Sequence, residues 1–486
     1  MPRVDAAVVT VSTGEVRGTR EGAVDRYLGI PYAAPPFGDR RFAPPQPPDV
    51  WEGVRDAAAF GPTAPQAPYR GGLEKYLPTV EIAGDDILTV NVWTPADRAE
   101  GTALPVLVFV HGGALTRGSA ALEGYDGSTF ARDGVVYVSI QYRVGQEGFA
   151  VLDDAPFDLG VLDQQAALRW VRREIAAFGG DPARVTAMGH SAGAATLTAL
   201  LALPQARELF DQVILQSGPM KAQPLRKAAR FSRLVAKRLR IAATRAGFSS
   251  VEPAVLVAAQ TALSSGGSPI GGGPAVALAI GGEAVPADPY TTLLRGAGRG
   301  IPVLIGTTSE EYRLWFVPTG VLTKVGRATL EIARASARVP RRIVAAHRRR
   351  RPEALPGEIL GEVVTDMILR GPHTRFADSR IGAPASTHVY EFRWRSPVDG
   401  LGAAHAMELG FVFDNLDIPD AVALGGTDGP RHLGREMHAA WVAFVADGDP
   451  GWEAWSSRRP VRVFDGQGGA TEYAPRADEL RGLPAR

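Results

Sequence analysis

The 486-residue chain contains no cysteine. That absence excludes disulfides, thiolate-bound metals and a thiol nucleophile together. Lysine is scarce as well, with five residues against forty-eight arginines, and the formal net charge is only +1. The arginine bias reads as genome composition, and no acidic or basic tail points to a nucleic-acid partner. The one arginine-dense run, "RRIVAAHRRRRP" at 341–352, reads as the solvated face of a helix. No apolar run approaches the ~20 residues needed to span a bilayer. The first residues, "MPRVDAAVVTVSTG", interrupt their apolar positions with Arg3, Asp5 and Ser12, unlike a signal peptide. A soluble, cytoplasmic protein without a membrane partner is expected.

What is present is ample apolar material, 45% of the residues, enough for a large core. The first sixty residues alternate apolar and polar positions between glycine-rich turns, which predicts small antiparallel strands. Continuous apolar runs follow at 105–110, 135–140, 184–188, 213–216 and 301–305, with weaker ones at 387–392 and 461–464. Segments of helical period lie between them, as at 163–177. Short buried runs alternating with helices predict an α/β fold with a mostly parallel sheet. Residues 61–84 are rich in proline and glycine and read as a long surface loop, a candidate lid. Residues 222–300, including the glycine-rich 266–275, and 318–385 read as mostly helical insertions. With no repeat or linker in view, residues 1–486 are expected to form one domain.

The stretch "TAMGHSAGAATL" at 186–197 carries Gly189-His190-Ser191-Ala192-Gly193. A G-x-S-x-G pentapeptide alone recurs by chance, and a serine in a plain core turn is its bland explanation. Here a β-branched strand precedes it and a run of helix formers follows, the setting of a nucleophile elbow. Glycines on both sides remove side chains that would collide in so tight a turn. Ser191 would then stand clear of the backbone, with the Ala192 amide aimed at a developing oxyanion. The strand 105–110 likewise ends in His111-Gly112-Gly113-Ala114, whose glycines leave backbone N–H groups free to face a ligand.

Beyond these two motifs the chain resembles the type-B carboxylesterase and cholinesterase-like family of α/β-hydrolases. The likeness runs through "YLGIPYAAPPFGDRRFAPPQP", "DDILTVNVWTP", "YRVGQEGF", "LQSG", "IGTTSEEY", "HAMELGFVF" and "WVAFVADGDP". It implies an α/β-hydrolase fold and a Ser–Glu–His triad, with Ser191 as nucleophile, Glu311 as acid and His405 as base. Glu310 occupies the acidic position just before Glu311. The oxyanion donors fall on the amides of Gly113, Ala114 and Ala192. His190, Ser217, Glu310 and Glu408 match positions around the triad, and Leu115, Tyr312, Trp315 and Phe411 are candidates to line the substrate pocket. A lone Glu at a strand end is usually solvated, and a lone His among apolar residues is usually packed; the three motifs together reverse both readings.

The chain also departs from the family. His190 stands where the family has Glu, Tyr312 where it often has Gly, and Leu115 at an aromatic position. Ile87 replaces the first half of the family's common disulfide, which leaves the 61–84 loop unclipped. The expected protein is a serine carboxylesterase acting on small uncharged esters, without metal or organic cofactor, and a monomer. Aryl carbamates or amides are the alternative substrates, since the same acylation reaches them. Choline esters are disfavoured because no aromatic cage for a quaternary ammonium can be identified in the sequence. A non-catalytic binding protein of the same fold is the rival from another class.

Overall fold

Each apolar run of the sequence is a strand of one large sheet. The computed structural model describes residues 4–97, 101–264 and 275–484. Its strands are β1 (Val4–Val11), β2 (Gly14–Glu21), β3 (Val24–Pro31), β4 (Val54–Asp56) and β5 (Thr89–Pro95). They continue with β6 (Leu104–Val110), β7 (Val136–Ile140), β8 (Gly180–His190), β9 (Gln212–Gln216) and the short β10 (Gln223–Pro224) and β11 (Ala279–Ile280). β12 (Val303–Thr308), β13 (Thr387–Phe392), β14 (Pro460–Phe464) and β15 (Thr471–Tyr473) complete the set.

The main sheet runs β1-β2-β3-β5-β7-β6-β8-β9-β12-β13-β14-β15, with β4 beside β2. From β7 to β14 all neighbours are parallel. β1, β2, β3 and β5 pair antiparallel and extend one edge, with β4 parallel to β2. The central strands do not alternate in burial because both faces are covered: Val106, Val108 and Val110 join one apolar core, Leu107 and Phe109 the other. The helices Leu159–Glu174 and Arg431–Asp447 bring Trp170 and Trp441 into these two cores, respectively.

The insertions are helical, as expected. Residues 222–300 contain helices Leu225–Leu239 and Pro253–Ser264, while the glycine-rich stretch falls, apart from residue 275, outside the described residues. Within 318–385, helices Arg327–Ser336, Arg341–Arg350 and Pro356–Thr365 enclose a small core of their own around Leu330, Ile343 and Ile359.

Two segments show more than their composition does. The 341–352 run is solvated on one face only: Arg348, Arg349 and Arg350 are exposed, but Ile343, Val344, Ala346 and His347 are buried. His347 lies 2.9 Å from Asp366 and 3.1 Å from Glu479, an arrangement that only the returning C-terminus creates. The 61–84 loop, though without a disulfide, is fastened by hydrogen bonds. Thr63 N donates to the Ile82 carbonyl and Ile82 N to Thr63 Oγ1, both at 3.0 Å. Gln66 accepts from the Gly118 amide (2.8 Å) and donates to the Gly118 carbonyl (3.1 Å), and Tyr76 Oη donates to Asp399 (2.7 Å). Among the described residues no helix is long and apolar enough to cross a membrane.

Parallel pairing sets the location of the site. Val110 pairs with Gly189, His190 with Gln216, Gln216 with Gly306 and Thr308 with Phe392, so the C-terminal ends of β6, β8, β9, β12 and β13 share one edge. Ligands bind beyond this edge in open α/β sheets. The loops leaving it carry His111–Leu115, Ser191, Ser217, Glu311 and His405.

Candidate active site

β8 runs directly into Ser191, whose backbone sits at φ 55°, ψ −118° before helix Ala192–Leu201 begins. Holding a non-glycine residue there costs on the order of 1–3 kcal/mol, which the surroundings must offset. Ser191 N donates to the Gln216 carbonyl (2.8 Å) and its carbonyl accepts from Ala195 N (3.0 Å). The flanking glycines are obligatory. A Cβ on Gly189 would lie 2.6 Å from the Gly193 carbonyl carbon, and one on Gly193 would lie 2.1 Å from the Val110 oxygen.

The loop after β6 comes up against this turn. A Cβ on Gly112 would sit 3.0 Å from Ser191 Cβ. Gly113, Ala114 and Leu115 have φ of 121°, 55° and 61°, three left-handed residues in succession. The Gly113 carbonyl accepts from Thr116 N and Arg117 N, both at 3.1 Å, and the Leu115 carbonyl from Gly145 N at 2.6 Å. Among the described residues, no acceptor takes the amides of Gly113 or Ala114. The Ala192 amide heads a helix and has no acceptor inside it. Three N–H groups of this kind can stabilise an alkoxide.

Glu311 and His405 meet on the other side. Glu311 is 1% exposed; its Oε2 lies 2.5 Å from His405 Nδ1, while Oε1 accepts from Ser217 Oγ (2.6 Å) and Thr308 N (2.8 Å). Glu310 points elsewhere, accepting from Arg313 (2.8 Å), Arg395 (2.7 Å) and Ala403 N (3.1 Å). The two neighbours therefore do different work: one grips the imidazole, and the other ties down the loop that carries it. The His405 ring lies 4.6 Å from that of His190 and 4.9 Å from Trp315.

Behind the histidine pair sits Glu408, fully buried, with one oxygen 4.0 Å from His190 Nε2. Burial, reinforced by the nearby Glu311 charge, pushes the Glu408 carboxyl up to about 8, so it is mostly protonated at neutral pH. Burial, with His405 alongside, holds His190 well below its ordinary value and hence neutral. Burial lowers His111 and His373 to about 4.

The pocket candidates divide. Trp315 is half-buried and packs on His405, and Leu115 is buried in the loop after β6. Phe411 lies between Phe392 and Trp394 and, with Ala406, lines a cavity. Tyr312 does not reach that cavity. It is 1% exposed, packed on Phe316 and filling the space over Gly361, where a Cβ would lie 2.2 Å from its ring. Three tyrosines of the cavity, Tyr69, Tyr76 and Tyr125, escape sequence reasoning because they belong to no motif and come from separate segments.

The cluster His347, Asp366 and Glu479 offers metal-ligand atoms, but its chemistry is that of an ion-pair network. Arg370 and Arg476 bind the same acids, and those carboxylates hold His347 up at about 9 against its burial, so the imidazolium is already their cation.

A profile of the carboxylesterase family matches residues 5–462. The chain is 36% identical to a para-nitrobenzyl esterase of Bacillus subtilis (strain 168), over 92% of this chain and 91% of that one. It is 33% identical to a phenmedipham hydrolase of Pseudarthrobacter oxydans, over 95% and 96%. Among solved structures, the Geobacillus stearothermophilus carboxylesterase EST55 at pH 6.2 superposes with a TM-score of 0.87 at 34% identity, covering 98% of this chain and 100% of that one.

Proposed function

The chain belongs to the carboxylesterase family and is a carboxylic ester hydrolase, and from that premise we propose that it acts through an acyl-enzyme on Ser191. His405 takes the serine proton as Oγ attacks the carbonyl, and the amides of Gly113, Ala114 and Ala192 receive the oxyanion. Glu311 keeps the imidazole proton on Nδ1 and balances the imidazolium. His405 then protonates the leaving alcohol, and water, activated by the same histidine, releases the acid.

The observation that carries this reading is the 2.5 Å contact of Glu311 with His405 Nδ1, together with the packing of the His405 ring on His190, the residue just before a serine on a strained strand–helix turn. Small carboxylic esters are the proposed substrates. The likeness to a phenmedipham hydrolase supports aryl carbamates as a second class. A cytoplasmic monomer without nucleic-acid or membrane partners belongs to the same reading, supported by the near-neutral charge. We treat the whole chain as one domain, with 61–84 as the lid.

An organophosphate should add one adduct, at Ser191, and abolish activity. Ser191→Ala should lose on the order of 10⁶ in kcat. Mass spectrometry of the adduct, with initial rates on an aryl ester, checks both. An adduct elsewhere, or a mutant of near-normal rate, overturns the proposal.

A further inference from the structure

Two buried side chains close to Glu311, Arg370 and His373, take no part in the chemistry above. Both come from one helical stretch, a π-helical turn (Asp366–Arg370) that runs straight into the helix Gly371–Ser379. Such turns are rare and recur at functional sites. Arg370 Nη1 donates to the Ser309 carbonyl (2.9 Å), two residues before Glu311. His373 Nε2 lies 2.7 Å from the carbonyl of Gly218, which follows Ser217, the donor to Glu311 Oε1. Among the described residues no backbone amide donates to either carbonyl.

Arg370 is itself held by two acids, Nε by Asp366 (2.5 Å) and Nη2 by Glu362 (2.6 Å), and Asp366 in turn faces His347 (2.9 Å). A planar guanidinium gripped on two edges presents Nη1 in a fixed direction. The ion-pair network thus anchors the loop that carries the acid. His373 is neutral, because burial lowers it to about 4, and a carbonyl only accepts, so its one ring proton sits on Nε2. Among the described residues Nδ1 has no partner. Leaving a buried nitrogen bare costs stability, and a leucine would fill the space without that cost. What the imidazole adds is the bond to Gly218. Glu311 takes its aim from the same two pieces of backbone: Oε1 accepts from Thr308 N, beside Ser309, and from Ser217 Oγ, beside Gly218.

We propose that Arg370 and His373 are positioning residues that aim the Glu311 carboxylate at His405, acting through the backbone of Ser309 and of Gly218. The inference rests on the Ser191–His405–Glu311 reading and adds to it the part of the fold that keeps the acid in place. Neither residue touches a reacting atom. They hold the 2.5 Å contact that fixes the imidazole tautomer, so they govern kcat and leave substrate binding alone.

The test reads initial rates on 4-nitrophenyl butyrate, with thermal melts of each protein. His373→Leu should lose about tenfold to a hundredfold in kcat, with KM within about twofold of wild type. His373→Gln can still donate to the Gly218 carbonyl and should keep at least about a third of wild-type kcat. Arg370→Lys keeps the charge between Asp366 and Glu362 but loses the fork that also reaches Ser309, and should lose about tenfold in kcat at constant KM. In a Glu311→Gln background, His373→Leu should slow the enzyme less than about threefold further, because the carboxylate it aims is gone. A kcat within about twofold of wild type in both His373→Leu and Arg370→Lys overturns the proposal. So does a His373→Gln as slow as His373→Leu, a loss confined to KM, or an undiminished loss in the Glu311→Gln background. If Arg370→Lys fails to fold, the His373 variants decide; if His373→Leu fails as well, the two side chains carry the fold rather than the acid, and the proposal falls. Failure of the underlying reading looks different, since Glu311→Gln alone would then retain near-normal kcat.

Discussion

Replacing Glu311 by glutamine should cost about 10⁴ in kcat, and the hydrogen bonds show why. Oε1 of Glu311 accepts from Ser217 Oγ and Thr308 N, while Oε2 faces His405 Nδ1 at 2.5 Å. A glutamine in this pocket would keep its oxygen toward the two donors and turn its NH₂ toward the imidazole. Nδ1 must then accept, the ring proton moves to Nε2, and Nε2 can no longer take the proton of Ser191. Losing both the correct tautomer and the counter-charge drops turnover by ~10⁴ in comparable triads, or about 5.5 kcal/mol at ~1.4 kcal/mol per decade. Glu310→Gln is the matched control. Its carboxylate holds Arg313, Arg395 and Ala403 N and does not touch His405. Its loss should lower stability by roughly 1–3 kcal/mol and slow the reaction less than about tenfold. Initial rates on an activated aryl ester, with thermal melts of all three proteins, measure both effects. If Glu310→Gln is the slower enzyme, or the two lose rate equally, the assignment of the acid is wrong.

Two other expectations concern histidines away from the reacting atoms. His190→Gln should retain at least about a tenth of wild-type kcat, because the buried, neutral ring packs on His405 without sharing its proton, whereas His405→Gln should lose ~10²–10⁴ or more; comparable collapse in both would make His190 a reactant. His347, raised to about 9 by Asp366 and Glu479, stabilises the fold fully below pH ~6.5 and loses that contribution as pH rises through 9. The thermal midpoint should therefore fall between pH 7 and about 9.5, and His347→Gln should flatten that fall; an unchanged slope would show that the imidazole is not the titrating group.

The elements most legible in the sequence are those whose cause is local. A strand buried on both faces must be apolar throughout, so "PVLVFV" and "VVYVSI" announce β6 and β7 without any knowledge of their neighbours. Gly189 and Gly193 are readable for a related reason: the turn that exposes Ser191 leaves no room for a Cβ, a requirement of backbone geometry within five residues. The register of Glu311 over Glu310 could be counted from Gly306, and the geometry places the two side chains on separate partners.

What only the tertiary structure decided depends on burial and on charges distant in sequence. His347 reads as one more basic residue on a polar helix until Glu479, from the C-terminal end of the chain, closes over it. Tyr312 reads as a pocket residue because it follows Glu311, yet the helix Pro356–Thr365 supplies Gly361 as the bare surface on which its ring packs. The Glu408 carboxyl is pushed up by burial, and a charge almost a hundred positions away in the chain adds to that shift. The Tyr69, Tyr76, Tyr125 and Asp420 cavity draws on segments that no periodicity connects. Motif and period record what a residue needs from its immediate neighbours in the chain. The desolvation that sets a carboxyl's charge, and the rings that wall a cavity, arise from chain segments that meet only after folding.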